Sequence, residues 1–440
     1  MGFISSRGKI HVEGHKDLTL HSEIHEIQDE KVVGKIYISK LAANGKEIKF
    51  DVEVGDEVKM GQRIGERQGF YVPIFAPVSG KIIDIENRYS CAIGRPVSHL
   101  IIENDFKYTP AEKLPILDYD KATKEEIISH IKEAGIVGLG GAGFPTYVKY
   151  ENVTGIKTVI INAIECEPYL TTDYHAIKNY LELFVKGVNL LKRAAGADNA
   201  IIAIKKGKAE LVAKIRAALG NSQNIEVKEL DDKYPMGWER VLVYEIMHKD
   251  YNMLPSEVGV IVNNASTAIA VADALLNGNP ITKRLLTVSG NAIKNQGIAL
   301  VPVGTPVSGI IEHFGGYTAD QVVLLVGGPM VAKGMMNDSF VIEKPAGALT
   351  VLIHEEIKAS PCLRCGRCTL MCPASLQPVE IKIAVENKNI DRLEALKVNS
   401  CIECGTCSLV CPSKIEVTEF MRKAKLQLKI AKAKSMPKKS

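Results

Sequence analysis

The chain has 440 residues, 46% of them hydrophobic and 24% charged, with 55 basic against 51 acidic residues and a formal net charge of +4. That length accommodates about three domains, and the near balance of charge gives no electrostatic footprint for nucleic acid. The first twenty residues hold no apolar run between flanking charges, so no secretory signal is expected; the longest uncharged stretches, 258–272 and 295–311, contain Asn pairs, Gly or Pro and fall short of a membrane span.

Residues 50–86 read as short alternating strands with turn signals, FDVEVGDEVKMGQRIGE followed by YVPIFAPVSGKIIDIE. The hairpin between the two halves is Arg67-Gln68-Gly69-Phe70-Tyr71. The pattern resembles the lipoyl or biotinyl hammerhead, a small β-sandwich. Carrier domains of that type modify a lysine on this hairpin; with none here, the module is expected to be structural.

From about 120 to 280, helical stretches alternate with short apolar runs at 158–162, 200–204 and 258–262. Strands alternating with helices predict a largely parallel sheet that binds ligands at its strand C-termini. A glycine-rich loop, Gly138-Leu-Gly140-Gly141-Ala142-Gly143-Phe144-Pro145-Thr146, follows a predicted helix and precedes Lys149. Four glycines in six residues let the backbone approach a ligand and aim N–H groups at phosphate. The spacing fits neither a Walker loop nor a Rossmann fingerprint, and a glycine-rich connection without ligand is the plain alternative. Asn162, Glu165 and Glu167 emerge where the first apolar run ends, in Asn162-Ala-Ile-Glu-Cys-Glu-Pro168, and another run ends in Asn263-Asn264-Ala-Ser-Thr267. Amides at strand C-termini suit the carbonyl and N–H edge of an aromatic cofactor ring. A β-rich segment follows, with RLLTVSG, VPVGTPVSGII and QVVLLVGGPM separated by glycine turns.

Eight of the ten cysteines fall in two identical runs, Cys362-x2-Cys365-x2-Cys368-x3-Cys372-Pro373 and Cys401-x2-Cys404-x2-Cys407-x3-Cys411-Pro412. This is the ligand spacing of two [4Fe-4S] clusters, in which the fourth cysteine of each run serves the other cluster. One set is therefore Cys362, Cys365, Cys368 and Cys411; the other is Cys401, Cys404, Cys407 and Cys372. Zinc is the competing reading, but a zinc site takes two cysteines from each half, and the third cysteine, the x3-Cys and the following proline would go unexplained. A disulfide framework is disfavoured by the long chain and the concentration of cysteines at one end. Cys91 and Cys166 are left over, and Cys91 reads as a small buried hydrophobe. The tail from Glu416 to Lys434 places Val417, Phe420, Met421, Ala424, Leu428 and Ala431 at helical spacing. A helix closing the cluster module is favoured over a membrane-surface helix. None of the ten histidines lies in a recognisable triad or metal motif.

GLGGAGFPTYVK, INAIECEPYLTTD, KYPMGWERVLV, VIVNNASTA, GTPVSGIIEHFGG and the two cysteine runs stand in an order that resembles RnfC, the peripheral NADH-side subunit of the Rnf ion-pumping complex, over about 50–425. The loop and the NNxxT element are more distantly similar to the flavoprotein subunit of respiratory complex I. The cobalamin reductase PduS and the proline-reductase electron carrier PrdC share the architecture and serve other acceptors. Two departures stand out: Gly8-Lys-Ile-His11-Val-Glu replaces the usual GG-x-HP start, and Ile164 replaces a small residue in N-G-A-E-C-E-P.

The resemblance implies an α/β chain of four parts. These are a hammerhead-like N-terminal domain at 1–118, a complex I flavoprotein-like domain for FMN and NADH at 119–282, an SLBB, β-grasp-like domain at 283–355 and a two-cluster ferredoxin-like domain at 356–440. It implies an FMN cradled by Gly138, Gly140, Gly141 and Gly143, with Lys149 near its phosphate and Asn162, Asn263, Asn264 and Thr267 around it; Glu165 and Glu167 would sit where a nicotinamide stacks. Because a flavin handles both hydride and single electrons, the expected activity is NADH oxidation followed by one-electron transfer through the two clusters. The acceptor would be another subunit of a membrane complex or a soluble redox partner. A conduit without its own NADH site is the alternative. The expected location is cytoplasmic, with at most peripheral membrane contact.

Overall fold

In the computed structural model, residues 8–42, 45–141, 143–220, 224–332, 334–335 and 337–435 are described. The expected alternation of strand and helix is present. Strands Thr158–Ala163, Asn199–Lys205, Ile225–Leu230 and Val260–Asn264 form a parallel sheet in the order 225–230, 199–205, 158–163, 260–264. Three of them are largely Val, Ile and Ala because both faces are covered, whereas the edge strand Ile225–Leu230 alternates apolar with charged residues. Val159 and Ile161 pack with Ile127, Phe184, Leu191 and Val271 from helices Lys124–Glu133, Leu181–Ala195 and Ala265–Asn277. Ile160 and Val262 face the helix Glu239–Met247 through Val241, Leu242 and Ile246.

Strand order reverses between Thr158–Ala163 and Val260–Asn264. Such a switch point opens a crevice at the strand C-termini, and here Asn162 and Asn264 are register partners at that edge.

The N-terminal part holds two antiparallel sheets. One runs Lys35–Ser39, Arg95–Asn104, Gly80–Ser90, Glu57–Val58; the other Ile48–Phe50, Arg63–Arg67, Pro73–Phe75. The β-rich segment builds a mixed sheet whose edge is Ile24–Glu26, paired in parallel with Gly297–Pro302. One core runs through both parts, joining Ile36, Ile64, Ile82 and Ile102 to Leu286, Val301, Phe340 and Leu349. The N-terminal sheets and the β-rich segment thus share one core although residues 119–282 of the chain lie between them.

The cysteine module repeats itself at an offset of 39 residues, from Cys362 to Cys401. Short helices Arg367–Leu370 and Thr406–Leu409 correspond, as do the starts of Pro378–Glu386 and Val417–Ser435. So do the left-handed residues Arg364 and Glu403 (φ 52° and 56°) and Gly366 and Gly405 (φ 74° and 77°). Val417, Met421, Ala424 and Leu428 are buried against Ile381 and Leu393, so the closing-helix reading of the tail holds. Leu426 and Ile430 of the same helix stay exposed.

Candidate functional site: a switch-point cavity beside paired cysteine loops

A cavity of about 560 Å³ opens at the switch point, within the range that encloses small ligands and cofactors. The glycine loop forms one wall and the ends of strands 158–163 and 260–264 another; every sequence-predicted residue of the cofactor set lines it. The loop is closed by Gly138 N donating to Phe144 O at 2.8 Å and pinned by Leu139 N donating to Thr267 Oγ1 at 3.0 Å. A Cβ on Gly140 would lie 2.6 Å from Asn264 Nδ2, so that position admits no side chain without displacing the amide. A Cβ on Gly141 would meet nothing within 4 Å. Its backbone thus faces open space, as a loop that receives a ligand requires.

Several predicted side chains hold the wall together. Thr267 is fully buried, its hydroxyl occupied by the loop. Asn263 donates to the Tyr150 hydroxyl at 2.5 Å, and Asn162 donates to Gly237 O at 2.7 Å. Asn264 caps the helix Ala265–Asn277 by accepting from Ser266 N at 2.9 Å, and donates to Asp173 Oδ2 at 2.6 Å. Lys149 donates to Val262 O at 2.7 Å and lies 3.9 Å from Glu239; burial lowers its pKa.

Acidic groups dominate the opposite side. Glu165, held at φ 45°, accepts from Asp173 N at 2.8 Å. Glu167 accepts from Met330 N at 3.2 Å and has the Tyr234 hydroxyl oxygen 3.4 Å away, and burial pushes its carboxyl up to about 7. Burial raises Glu165 and Asp173 in the same direction. From the N-terminal segment, Lys16 donates to the carbonyls of Glu165 (3.0 Å), Glu167 (2.7 Å) and Leu170, with its pKa pulled down by burial. Arg284, 4% exposed, donates to Ala346 O and to Leu139 O, joining the β-rich sheet to the glycine loop.

Cysteines of the two runs come together across the module. Cys372, from the first run, shares a cavity with Cys401, Cys404 and Cys407 of the second, and Cys372, Cys401 and Cys407 are each within electrostatic reach of others in the set. Cys368 is within electrostatic reach of Cys411. The nearness of Cys372 to the second run and of Cys411 to Cys368 is what an exchange of the fourth cysteine between runs would require. All ten cysteines are free of disulfides. Backbone N–H groups of Arg364, Leu376 and Glu403 point at Cys362, Cys372 and Cys401 sulfurs at 3.4, 3.4 and 3.3 Å, the kind of bond that stabilises cluster thiolates. Among the described residues, no three His, Cys, Asp or Glu side chains converge as around one bare ion. Both donor sets fit the groups expected: an open glycine loop with flanking amides and Lys149 for a flavin phosphate and ring, and four thiol residues lining one cavity for a cubane. Cys91 packs at the edge of the N-terminal core as a hydrophobe.

Residues 4–107 match the RnfC barrel sandwich hybrid domain, 131–273 the Nuo51 FMN-binding domain, 285–332 the SLBB domain and 358–415 the 4Fe-4S dicluster domain. The chain is 35% identical over 354 residues to a subunit of the Na(+)-translocating ferredoxin:NAD(+) oxidoreductase complex of Acetobacterium woodii, covering 78% of this chain and 80% of that protein. It is 36% identical over 400 residues to a subunit of the ion-translocating oxidoreductase complex of Rhodobacter capsulatus, covering 88% and 76%. To a subunit of the proton-translocating ferredoxin:NAD(+) oxidoreductase complex of Clostridium ljungdahlii it is 33% identical over 390 residues, covering 86% and 84%.

The chain belongs to the RnfC family.

Four residues of this RnfC-family site escape a sequence reading. Asp173 stands at the end of INAIECEPYLTTD and Trp238 in KYPMGWERVLV, so the motifs contained them without marking their roles. Lys16 and Arg284 sit in unremarkable surroundings, and only the fold brings them to the loops they hold. Ile164, the departure from the usual small residue, is 2% exposed and packs under the sheet with Met236 and Val241. It is a core residue and does not line the cavity.

Proposed function

We propose that this chain oxidises NADH at an FMN held in the switch-point cavity and passes electrons through two [4Fe-4S] clusters to a protein partner, as the NADH-side subunit of an ion-translocating oxidoreductase complex. The observation that carries this reading is the adjacency of the cavity to the second cysteine loop. Glu167 and Trp238 line the cavity; both reach the Tyr234 hydroxyl, at 3.4 and 3.3 Å, and that hydroxyl donates to Cys404 O at 2.6 Å. A bound flavin supplies the exchange between two-electron hydride chemistry and one-electron transfer.

The chain's own residues do the rest. Gly138, Gly140, Gly141 and Gly143 leave room for the phosphate end, with Lys149 beside it. Asn162 and Asn264 frame the ring. Glu165 and Glu167, held partly protonated near neutrality by burial, keep net negative charge low where a nicotinamide nucleotide would approach. Cys372, Cys401, Cys404 and Cys407 form the proximal ligand set. Cys362, Cys365, Cys368 and Cys411 form the distal one, and Cys362 and Cys365 are exposed. The partner therefore docks at the first run. No helix among the described residues is long and apolar enough to cross a membrane, and we place the chain at the cytoplasmic face through its partner subunits.

Anaerobic purification with flavin and iron quantitation, then NADH titration followed by absorbance and EPR, tests this. One FMN and about eight irons per chain, with bleaching by NADH, is the expected result. Eight irons without reduction by NADH would make the chain a relay between proteins.

A further inference from the structure

Gly143 also lines a second cavity, of about 110 Å³, between the N-terminal sheets and the segment 341–345. Its walls are mainly apolar, among them Ile74, Phe75, Val303 and Ile342, yet two cationic side chains line it: Arg67, at the end of strand Arg63–Arg67, and Lys344. Arg67 Nη2 and Lys344 Nζ are both buried and both lack a hydrogen-bond partner. Arg67 is 8% exposed, and its Nε donates to Phe70 O at 3.0 Å, which fixes the guanidinium and leaves Nη2 free. The Lys344 ammonium lies 5.9 Å from the Phe75 ring centroid, the outer limit of a cation–π contact. Burial, and then the charge of Arg67, lowers the pKa of Lys344. Glu343 also lines the cavity, but its carboxyl accepts from Ser90 Oγ at 2.8 Å and burial favours its neutral form.

Charges withdrawn from water are paired or hold a ligand, and two like charges facing one cavity without a counter-charge are strongly unfavourable. We propose that this cavity binds a small tetrahedral oxyanion of the phosphate class between Arg67 and Lys344. A guanidinium fork beside an ammonium matches phosphate oxygens. The cavity is about a fifth of the neighbouring one by volume, too small for a nucleotide; a free oxyanion fits and a dangling cofactor does not. The bound ion would tie the N-terminal sheet to the segment carrying Pro345. That segment in turn abuts the glycine loop, since a Cβ on Gly143 would lie 2.7 Å from Pro345 Cγ.

The test is calorimetric titration of inorganic phosphate, with chloride as control, into the flavin- and iron-replete full chain prepared in phosphate- and sulfate-free buffer. Arg67→Met and Lys344→Met serve as variants. One phosphate per chain is expected, weakened roughly tenfold or more in each variant while flavin and iron contents stay at wild-type levels. Arg67→Lys, which keeps the charge and loses the fork, should show intermediate affinity and separates loss of the site from loss of the fold. Absence of binding to the wild type, or equal binding in all variants, would overturn the proposal. So would binding confined to flavin-stripped protein and reversed by FMN, because the phosphate would then occupy the cofactor cavity.

Discussion

The Tyr234 hydroxyl donates a 2.6 Å hydrogen bond to the main-chain carbonyl of Cys404 and accepts one from Trp238 Nε1 at 3.3 Å. Tyr234 is 2% exposed, and burial keeps its phenol protonated and able to donate. It joins the cavity wall to the loop of the second cysteine run. Tyr234→Phe should leave both the carbonyl and the indole N–H unpaired, at a cost of about 1–3 kcal/mol in stability. Flavin and iron should be retained, and the potential of the proximal cluster should shift in an EPR-monitored redox titration. An unchanged potential would show that the contact is structural only.

Gly141 faces open space in the cavity. Gly141→Val should fill that space and abolish flavin absorbance while leaving about eight irons and the unfolding midpoint near wild type. Gly140→Ala should also lose flavin, but with some loss of stability, because its Cβ must displace Asn264 from its cap.

The pH dependence of stability follows from Glu167, whose folded-state pKa is raised from 4.5 to about 7 by burial. Between those values the folded chain holds a proton that the unfolded chain has released, so the stabilising contribution is complete below about pH 4.5 and is lost as pH rises to about 7. Glu167→Gln removes this dependence. Urea unfolding of both proteins from pH 4.5 to 8 should show the wild type losing ground to the variant up to about pH 7 and then running parallel. A constant difference across the range would mean that Glu167 is ionised in the folded chain.

The proposed exchange of the fourth cysteine between runs makes a pair of variants diagnostic. Cys372→Ala should remove the cluster ligated by the second run, and Cys411→Ala the one ligated by the first. Each should halve the iron from about eight to about four. Only Cys372→Ala should slow reduction of the remaining cluster by NADH, since it interrupts the path next to the cavity. Loss of all iron in both would point to collapse of the module.

Lys16 donates to three carbonyls of the 165–170 loop. Lys16→Met should destabilise the chain by about 2 kcal/mol and weaken flavin retention on gel filtration, with iron content unaffected. Full flavin retention would show that the loop holds its shape unaided.

Local chemistry was legible in the amino-acid order. Cysteine spacing dictates which sulfurs a short loop can converge, and this stood in the sequence together with the 39-residue duplication it implies. A run of Val, Ile and Ala flanked by helical periodicity marks a strand buried on both faces, so Asn162 and Asn264 could be placed at strand ends in advance. Their roles were less legible. Thr267, Asn263 and Asn162 turn part or all of their polar groups into the protein wall, because a buried amide or hydroxyl bonds the nearest backbone group whether or not a ligand is present.

The paired cysteine runs, the parallel sheet, the glycine loop and the closing helix were all readable from residue order, each being a consequence of spacing over a few turns or strands. Long-range folding, by contrast, settled that Lys16 grips a loop 149 residues away, that Arg284 reaches back 145 residues to Leu139, and that Tyr234 meets Cys404 across 170. It also brought Arg67 and Lys344 to one cavity. The difference arises because helix and strand periods report which face of an element is buried, whereas a single polar side chain carries no sign of the distant backbone group that folding will set beside it.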